Sequence, residues 1–265
     1  MPRFAANLTL LFTEHAFLDR FEAASRAGFT AVEVLFPYEH SPEAIAGRLA
    51  AHGLDLVLFN LPPGDWTAGE RGLAALPDRF DEMAAGVETA LAYALATGCP
   101  RLHMMAGLAD ARDSRAGEAY RRSLRHAAGR LARQGIDLLI EPINRRSMPG
   151  YFLDDVDAAA GLVADLRAEG LTNLKLQFDI FHCQILHGDV TTRLARLLAL
   201  IGHVQVASVP ARHEPGTGEV NDAFVFAELD RLGYSGSVGC EYNPRGRTED
   251  GLDWLGACAG RPTTR

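Results

Sequence analysis

The sequence predicts an α/β protein built as a single (β/α)8 barrel. Eight short apolar runs alternate with amphipathic stretches in repeating units of about 30 residues, which is the spacing of such barrels. An open, doubly wound sheet would show the same alternation. However, TEHAFLDRF follows the first run in place of a glycine-rich phosphate loop, and neither G-x-G-x-x-G nor a Walker A motif occurs. The barrel is therefore the favoured prediction.

The predicted strands are short and rich in branched apolar residues, as expected for parallel strands that are covered on both faces. The eight runs are 3–10, 31–36, 54–60, 101–106, 136–141, 173–179, 202–208 and 236–241.

The predicted helices lie between these strands, and about eight are expected. The stretch 16–28 places Phe17, Phe21 and Ala24 on one face and ends on Gly28, which is typical of a helix C-cap. Three further stretches also stop at glycine, and these are 78–98, 115–135 and 154–170.

The composition indicates a globular protein without a large nucleic-acid interface. Of the 265 residues, 48% are apolar, which is enough for a sizeable core. The 26 Lys and Arg side chains are outnumbered by 34 Asp and Glu, so the net charge is −8. No basic face appears along the chain, and a large nucleic-acid footprint requires clustered Lys and Arg. We therefore expect no nucleic-acid partner.

The cysteines and apolar runs favour a soluble, cytoplasmic protein. No apolar run reaches the roughly 18 residues of a membrane span, and the N-terminal segment lacks a small-residue cleavage site. A homo-oligomer is possible, because the predicted helices show no decisive apolar patch. The four cysteines stand far apart, without a C-x-x-C pair, as expected for reduced, buried thiols: Cys99, Cys183, Cys240 and Cys258.

The domain prediction is one barrel over residues 1–265, with a short C-terminal tail from about 259 to 265 outside the core. Three long loops follow strands, at 60–77, 142–152 and 209–221. They therefore fall on the C-terminal face of the barrel, where barrel enzymes carry their active sites.

Three acidic residues end apolar runs and call for a single explanation. DLLIE ends on Glu141, LKLQFD on Asp179 and GSVGCE on Glu241. In a barrel, the ends of strands 5, 6 and 8 meet at one rim, so these carboxylates are expected to converge. Carboxylates packed in a low-dielectric site repel each other, and a divalent cation would neutralise them.

Strand 7 lies between these acids and contributes a fourth candidate ligand. In GHVQVAS, His203 and Gln205 point to one face of the strand, and Gln205 is level with the acids. Together with the three carboxylates, Gln205 forms a set of oxygen ligands that suits Mg²⁺ or Mn²⁺ better than Zn²⁺. His203 is the competing ligand, and a hydrogen bond inside the barrel is the alternative role of Gln205.

The predicted substrate-binding residues come from the same strand ends. Arg212 lies in a loop with Pro and Gly at turn positions, and Arg binds carboxylates through paired N–H groups. We therefore expect a small-molecule carboxylate as the partner. His182 follows Asp179 by three residues and can reach the site from the next element. Asn7 and His103 lie near other strand ends, where they either line the pocket or fill the barrel.

At these residues the sequence resembles the hydroxypyruvate isomerase family, including its 2-oxo-tetronate isomerase branch, among the xylose isomerase-like barrels. The matching segments run nearly from end to end of the chain. They are MPRFAANLTLLFTE, AVEVLFPYE, FNLPPGDWTAGERGLAALP, QFDIFHCQ, HVQVASVPARHEPGTGEVN and GCEYNPRGRTEDGLDW.

The resemblance implies a TIM barrel whose metal ligands are Glu141, Asp179, Gln205 and Glu241. It also implies that Glu141 and Glu241 are the proton donor and acceptor of an isomerase. The chain departs from the family at some positions, and Asn243 stands where the family often has Lys. That difference removes one possible substrate contact near Glu241.

The predicted reaction moves a proton between adjacent carbons of a hydroxy-oxo acid through an ene-diolate, with two Glu as acid and base. The alternative is a ketose 3-epimerase-like enzyme that acts on neutral sugars. Two further alternatives are disfavoured. A DNA-cleaving barrel would need a His-rich zinc site and a basic groove, and a binding protein without activity would have no need for acids at three strand ends.

Overall fold

The computed structural model describes residues 2–258 and shows a closed barrel of eight parallel strands, which confirms the predicted fold. β1 pairs with both β2 and β8, and this pairing closes the barrel. The tail predicted at about 259–265 lies outside the described residues. The strands are β1 Arg3–Asn7, β2 Ala31–Val34, β3 Asp55–Asn60, β4 Arg101–His103, β5 Asp137–Ile140, β6 Leu174–Asp179, β7 Ile201–Val206 and β8 Ser237–Cys240.

Helices surround the barrel, and none within residues 2–258 combines the length and apolar character needed to span a membrane. They are α1 Arg20–Arg26, α2 Pro42–His52, α3 Phe80–Thr97, α4 Ser114–Ala132, α5 Val156–Ala168, α6 Ile180–Leu186, α7 Val190–Leu197, α8 Asp222–Arg231 and α9 Asp253–Cys258. Short 3-10 turns precede or follow four of them, at Phe17–Asp19, Pro77–Arg79, Leu198–Leu200 and Glu249–Gly251.

Local capping explains where helix α2 starts and stops. The Ser41 hydroxyl accepts a hydrogen bond from the Ala44 N–H, and Pro42 occupies the first helical position. Gly53 ends the helix in the left-handed region at φ 62°, where glycine avoids the steric penalty of a side chain.

The first strand is shorter than predicted because Asn7 starts a turn. Its carbonyl oxygen accepts hydrogen bonds from the N–H groups of Leu10 and Leu11, and its side-chain oxygen accepts one from Thr9. This side-chain bond competes with continued strand pairing. The apolar run to residue 10 therefore leaves the sheet at Asn7.

The segment after β6 holds two helices instead of one, which brings the α-helices of the described residues to nine. Gly188 and Asp189 have φ 64° and 51° and separate α6 from α7. α6 begins directly at the end of β6, with no loop between strand and helix. This direct connection places the first turn of α6 at the barrel mouth.

Successive residues of the strands face opposite sides of the barrel wall. Leu138, Leu176 and Val204 pack in the layer between strands and helices. Leu139 belongs to a small apolar cluster inside the barrel. The interior becomes polar toward the C-terminal ends of the strands, and that change positions the candidate site.

Candidate active site

Four polar side chains converge at the mouth of the barrel from strands β5 to β8. Glu141 follows β5, Asp179 ends β6 and Glu241 follows β8. Gln205 of β7 pairs in register with Asp179 and with Gly239 of β8. All four side chains are buried. The structure therefore brings together the residues that the sequence predicts as metal ligands.

Asp179 ends strand β6 and also caps the N-terminus of helix α6. Its Oδ1 accepts a hydrogen bond of 2.7 Å from the Phe181 N–H at the start of α6. Its Oδ2 is buried and has no hydrogen-bond partner among the described residues. The cap fixes the carboxylate and leaves one oxygen free at the mouth.

His182 lies one helical turn beyond Asp179, and its hydrogen bonds define its tautomer. The N–H of Asn144 donates to His182 Nδ1 at 3.3 Å, and the Asn144 amide lies 2.6 Å from the same nitrogen. The Asn144 side-chain oxygen is occupied by the N–H of Ser147, so the amide NH₂ faces the ring. Nδ1 is thus an acceptor, and the ring proton is on Nε2.

His182 Nε2 faces the two free carboxylate oxygens. It lies 3.5 Å from Asp179 Oδ2 and 3.7 Å from Glu141 Oε1. The nearest ligand atoms of the three residues lie within 4.8 Å of one another, so the group could bind a metal ion. Because Nε2 carries the proton, we interpret Glu141 and Asp179 as the ion-binding members and His182 as a hydrogen-bond donor.

Arg212 extends from the loop after β7 into the same cluster. Its Nη2 lies 2.6 Å from Glu241 Oε1 and 3.6 Å from Asp179 Oδ2. The guanidinium carbon is 5.1 Å from the centre of the Phe181 ring. Burial lowers the pKa of Arg212, but the carboxylates of Glu241 and Asp179 outweigh it and raise the pKa above its usual value. Arg212 is therefore a permanent cation beside the acids.

Gln205 is held by a chain of buried hydrogen bonds. Gln177 donates to its side-chain oxygen at 2.6 Å, and its NH₂ group donates to Glu241 and, at 2.8 Å, to Glu33. In this arrangement the amide oxygen faces Gln177 and the NH₂ faces the carboxylates. An oxygen contact from Gln205 to a cation would require the amide to turn over, so its role as a ligand stays a prediction.

A cavity of about 330 Å³ opens at this end of the barrel. This volume lies at the small end of the range for ligand pockets. Phe36, Trp66 and Met105 form part of its apolar wall. Its polar lining includes Glu141, Glu241, His103, His182, Arg71 and Arg212. Asn7 is not among the lining residues.

Comparison with known proteins places the chain in a family. Residues 21–258 match the model of the xylose isomerase-like TIM barrel family. The 2-oxo-tetronate isomerase of Cupriavidus necator is 52% identical over 263 residues, which cover 98% of this chain and 100% of that protein. The hydroxypyruvate isomerase of Escherichia coli is 43% identical over 257 residues, covering 96% and 98%.

A solved structure agrees with this assignment in fold. The crystal structure of a Brucella melitensis protein named AP endonuclease, family 2, superimposes with a TM-score of 0.93 at 48% sequence identity. The match covers 97% of this chain and 99% of that one.

The chain belongs to the xylose isomerase-like TIM barrel family. The curated relatives place it among the hydroxypyruvate and 2-oxo-tetronate isomerases, which confirms the family predicted from the motifs. Its enzyme class is that of an isomerase. The predicted roles of individual residues are not tested by these matches and remain predictions.

The electrostatics of this isomerase site follow from its burial. Burial raises the pKa of Glu141 well above its usual range, and the nearby carboxylates of Glu241 and Asp179 raise it further. Burial also raises the pKa of Asp179, against the opposing effect of Arg212. For Glu241, burial outweighs Arg212 and raises the pKa to about 8. At the mouth of the barrel, burial and the proximity of the other carboxylates thus outweigh the opposing effect of Arg212 on these pKa values.

The donor set fits a divalent cation. Glu141 Oε1 and Asp179 Oδ2 are buried and lack hydrogen-bond partners among the described residues. Buried, unpaired carboxylate oxygens are unfavourable unless a cation accompanies them. Oxygen ligands of this kind suit Mg²⁺ or Mn²⁺.

The two histidines of the cavity are neutral. Burial lowers the pKa of His103 to about 3. For His182, burial, Arg212 and His103 together lower the pKa well below its usual value. His103 Nδ1 lies 3.1 Å from Asn60 Oδ1, and Nε2 is 3.9 Å from Glu141 Oε2. His103 therefore presents an unprotonated Nε2 to the cavity.

Glu33 is a buried acid of the site that the sequence analysis missed. Its Oε1 lies 3.0 Å from the Asn7 amide and 2.8 Å from the Gln205 amide, and its Oε2 lies 2.7 Å from His203 Nε2. His203 therefore contacts Glu33 in the barrel interior and does not lie with the acids at the barrel mouth. A charged residue inside the apolar run AVEVLF was the available signal.

Proposed function

We propose that this enzyme isomerises small hydroxy-oxo acids, converting hydroxypyruvate to tartronate semialdehyde or acting in the same way on 2-oxo-tetronate. The observation that carries the proposal is that Glu141 and Glu241 line one small cavity from separate strands, both with raised pKa values. The names of the relatives support the substrate class.

The reaction needs only proton transfers. Each of these acids has a ketone next to a carbon that carries a hydroxyl group. A base removes the proton from the hydroxyl-bearing carbon, and an acid delivers a proton to the former carbonyl carbon. The hydroxyl proton moves to the former carbonyl oxygen, so the product has the same atoms and requires no external oxidant. The intermediate is an ene-diolate whose charge is on oxygen.

Glu141 and Glu241 are the proposed acid and base. A carboxyl group with a raised pKa can hold a proton near neutral pH and is a stronger base once it has lost that proton. The cavity gives both groups access to the same bound molecule.

His182 and Arg212 are the proposed donors to the substrate oxygens. The Nε2–H of His182 and the guanidinium of Arg212 both lie close to Asp179 Oδ2. The carboxylates of Glu141 and Glu241 line the same cavity. Fixed donors of this kind stabilise negative charge that develops on oxygen. Because His182 is neutral, it donates a hydrogen bond without losing its proton.

Glu141, Asp179 and Glu241 would hold a divalent Mg²⁺ or Mn²⁺ ion, with Gln205 as the fourth ligand. When bound, such an ion supplies positive charge that polarises the substrate carbonyl and stabilises the ene-diolate. Arg212 balances part of the remaining carboxylate charge through its bond to Glu241.

A nucleic-acid substrate is disfavoured, although one similar structure is named an AP endonuclease. Contacts to DNA phosphates depend on clustered Lys and Arg, whereas this chain has a net charge of −8. A cavity of about 330 Å³ suits a small molecule.

Steady-state assays on hydroxypyruvate, 2-oxo-tetronate and a neutral ketose test the proposal. Each substrate is assayed with Mg²⁺, with Mn²⁺ and after treatment with a chelator. We expect turnover of at least one acid, loss of that activity on chelation and recovery when the cation is restored. Turnover of the ketose alone would identify an epimerase-type enzyme instead, and undiminished activity after complete chelation would refute the metal site.

A further inference from the structure

We infer that Arg71, in the loop after β3, binds the carboxylate of the substrate and selects acids over neutral ketoses. The inference rests on the proposed function, since it names the residue that recognises the acid group. Arg71 lines the same cavity as Glu141 and Glu241. It reaches that cavity from the loop after β3, whereas Arg212 comes from the loop after β7.

The charges of the cavity single out Arg71. Arg212, the other arginine that lines the cavity, is already bound to Glu241 at 2.6 Å. Arg71 forms no ion pair with any acid among residues 2–258. The adjacent Glu70 carboxylate is directed to Arg79, at 2.6 Å. Arg71 is therefore a lining cation whose charge no carboxylate of residues 2–258 neutralises.

The hydrogen bonds of Arg71 leave one edge of its guanidinium free. Nη1 donates to the carbonyl oxygens of Trp66 and Glu70, at 3.1 Å and 2.7 Å. Within the part of the chain that the structure describes, Nε and Nη2 donate to no protein atom. These two groups form the edge with which an arginine binds a carboxylate through two parallel hydrogen bonds.

The loop holds Arg71 in place before any substrate binds. Its guanidinium carbon lies 3.9 Å from the centre of the Trp66 ring. The next residue, Gly72, has φ 109°, and its N–H bonds to the Pro63 carbonyl at 2.8 Å. A Cβ at Gly72 would lie 2.3 Å from the Met105 carbonyl oxygen, so only glycine fits there. A side chain fixed in advance loses little entropy on binding, which favours recognition.

The test compares Arg71→Met, which removes the charge, with Arg71→Lys, which keeps the charge but not the two-point geometry. Arg112→Met is the matched control, because Arg112 is an exposed arginine that pairs with Asp110 on the surface. The acid that wild-type enzyme turns over faster is the substrate, and dihydroxyacetone, in which a hydroxymethyl group replaces the carboxylate of hydroxypyruvate, is the neutral competitor. The thermal midpoint of each variant establishes that it is folded.

We expect Arg71→Met to lower kcat/KM for the acid about 100-fold, mainly through KM, because two charge-assisted hydrogen bonds are lost. Arg71→Lys should lose about tenfold, and Arg112→Met less than about twofold. The inhibition constant of dihydroxyacetone should stay at its wild-type value in Arg71→Met.

Two results overturn the inference, and they are distinguishable. If folded Arg71→Met keeps the wild-type KM for the acid, Arg71 does not bind the carboxylate, while the proposed function stands. If wild-type enzyme with its cation turns over neither acid, the proposed function fails and the inference falls with it.

Discussion

Glu141 and Glu241 share the cavity but differ in their partners. Glu241 accepts hydrogen bonds from Arg212 and Gln205, whereas Glu141 Oε1 has no partner among the described residues. Glu241 is therefore fixed in position, and Glu141 depends on a bound ion or substrate for its contacts.

Replacing either residue by Gln should reduce kcat by about 10²- to 10⁴-fold, because the amide keeps the shape but cannot accept or return a proton. The measurement is kcat on the preferred acid at saturating substrate, with the cation present. Glu118→Gln, at an exposed position of α4, is the control and should behave as wild type. A Glu141→Gln enzyme with near-normal turnover would remove Glu141 from the catalytic pair.

The raised pKa of Glu241 predicts how the stability of cation-free protein depends on pH. The folded-state pKa is about 8, compared with about 4.3 for Glu in an unfolded chain. Between these values the folded protein holds a proton that the unfolded chain releases. The free energy of unfolding should therefore fall as pH rises from about 5 to 8.

Thermal midpoints of chelator-treated protein across this pH range measure the effect, with Glu241→Gln as the reference. As pH rises, the thermal midpoint of wild type should fall relative to that of Glu241→Gln. A difference that is constant with pH would show that Glu241 has an ordinary pKa in the folded protein.

At the scale of elements, strands β1, β2, β7 and β8 meet around Glu33. The carboxylate binds Asn7 of β1, and His203 and Gln205 of β7. A Cβ on Gly239 of β8 would lie 2.2 Å from Glu33 Oε2, so the glycine makes room for the acid. Through Gln205, this buried group supports the position of Glu241.

Gly239→Ala should therefore displace Glu33 and disturb Gln205 and Glu241. We expect a loss of about 1–3 kcal/mol in the free energy of unfolding, as for other overpacked cores, together with reduced kcat. Chemical denaturation and the standard assay measure the two effects.

Gly117→Ala is the matched control. Gly117 lies within α4, and a Cβ there would meet open space. This substitution should stabilise the protein by about 0.5–1 kcal/mol, because alanine favours helix more than glycine does. A Gly239→Ala protein as stable and active as wild type would contradict the proposed tight fit around Glu33.

At the scale of the whole molecule, the barrel was predictable because short apolar runs alternate with amphipathic stretches along the chain. The acids at the ends of β5, β6 and β8 were predictable for a related reason, since closure of the barrel brings strand ends to one rim. Both features follow from the order of the elements and from the end of the strand at which a residue lies. They do not depend on the detailed path of any loop.

Glu33 and Arg71 were not predicted because their roles depend on tertiary contacts that cannot be read from the order of residues in the sequence. His203, a partner of Glu33, is 170 residues away along the chain, and a register shift occurs between Val32 and Glu33. The position of Arg71 depends on how the loop packs at Gly72. The contact between Arg212 and Glu241 was not predicted either, and the role of Arg212 in binding the substrate stays a prediction.

The central claim is that two carboxylates move a proton between adjacent carbons of the substrate. The most direct measurement is turnover of the preferred acid in D₂O, with proton NMR of the product and a control sample without enzyme. Because Glu141 and Glu241 exchange their protons with solvent, the account predicts deuterium at the carbon that gains a hydrogen. A product without deuterium at that carbon would contradict the account, because the same hydrogen would then have moved between the two carbons, either on a single shielded base or directly as hydride.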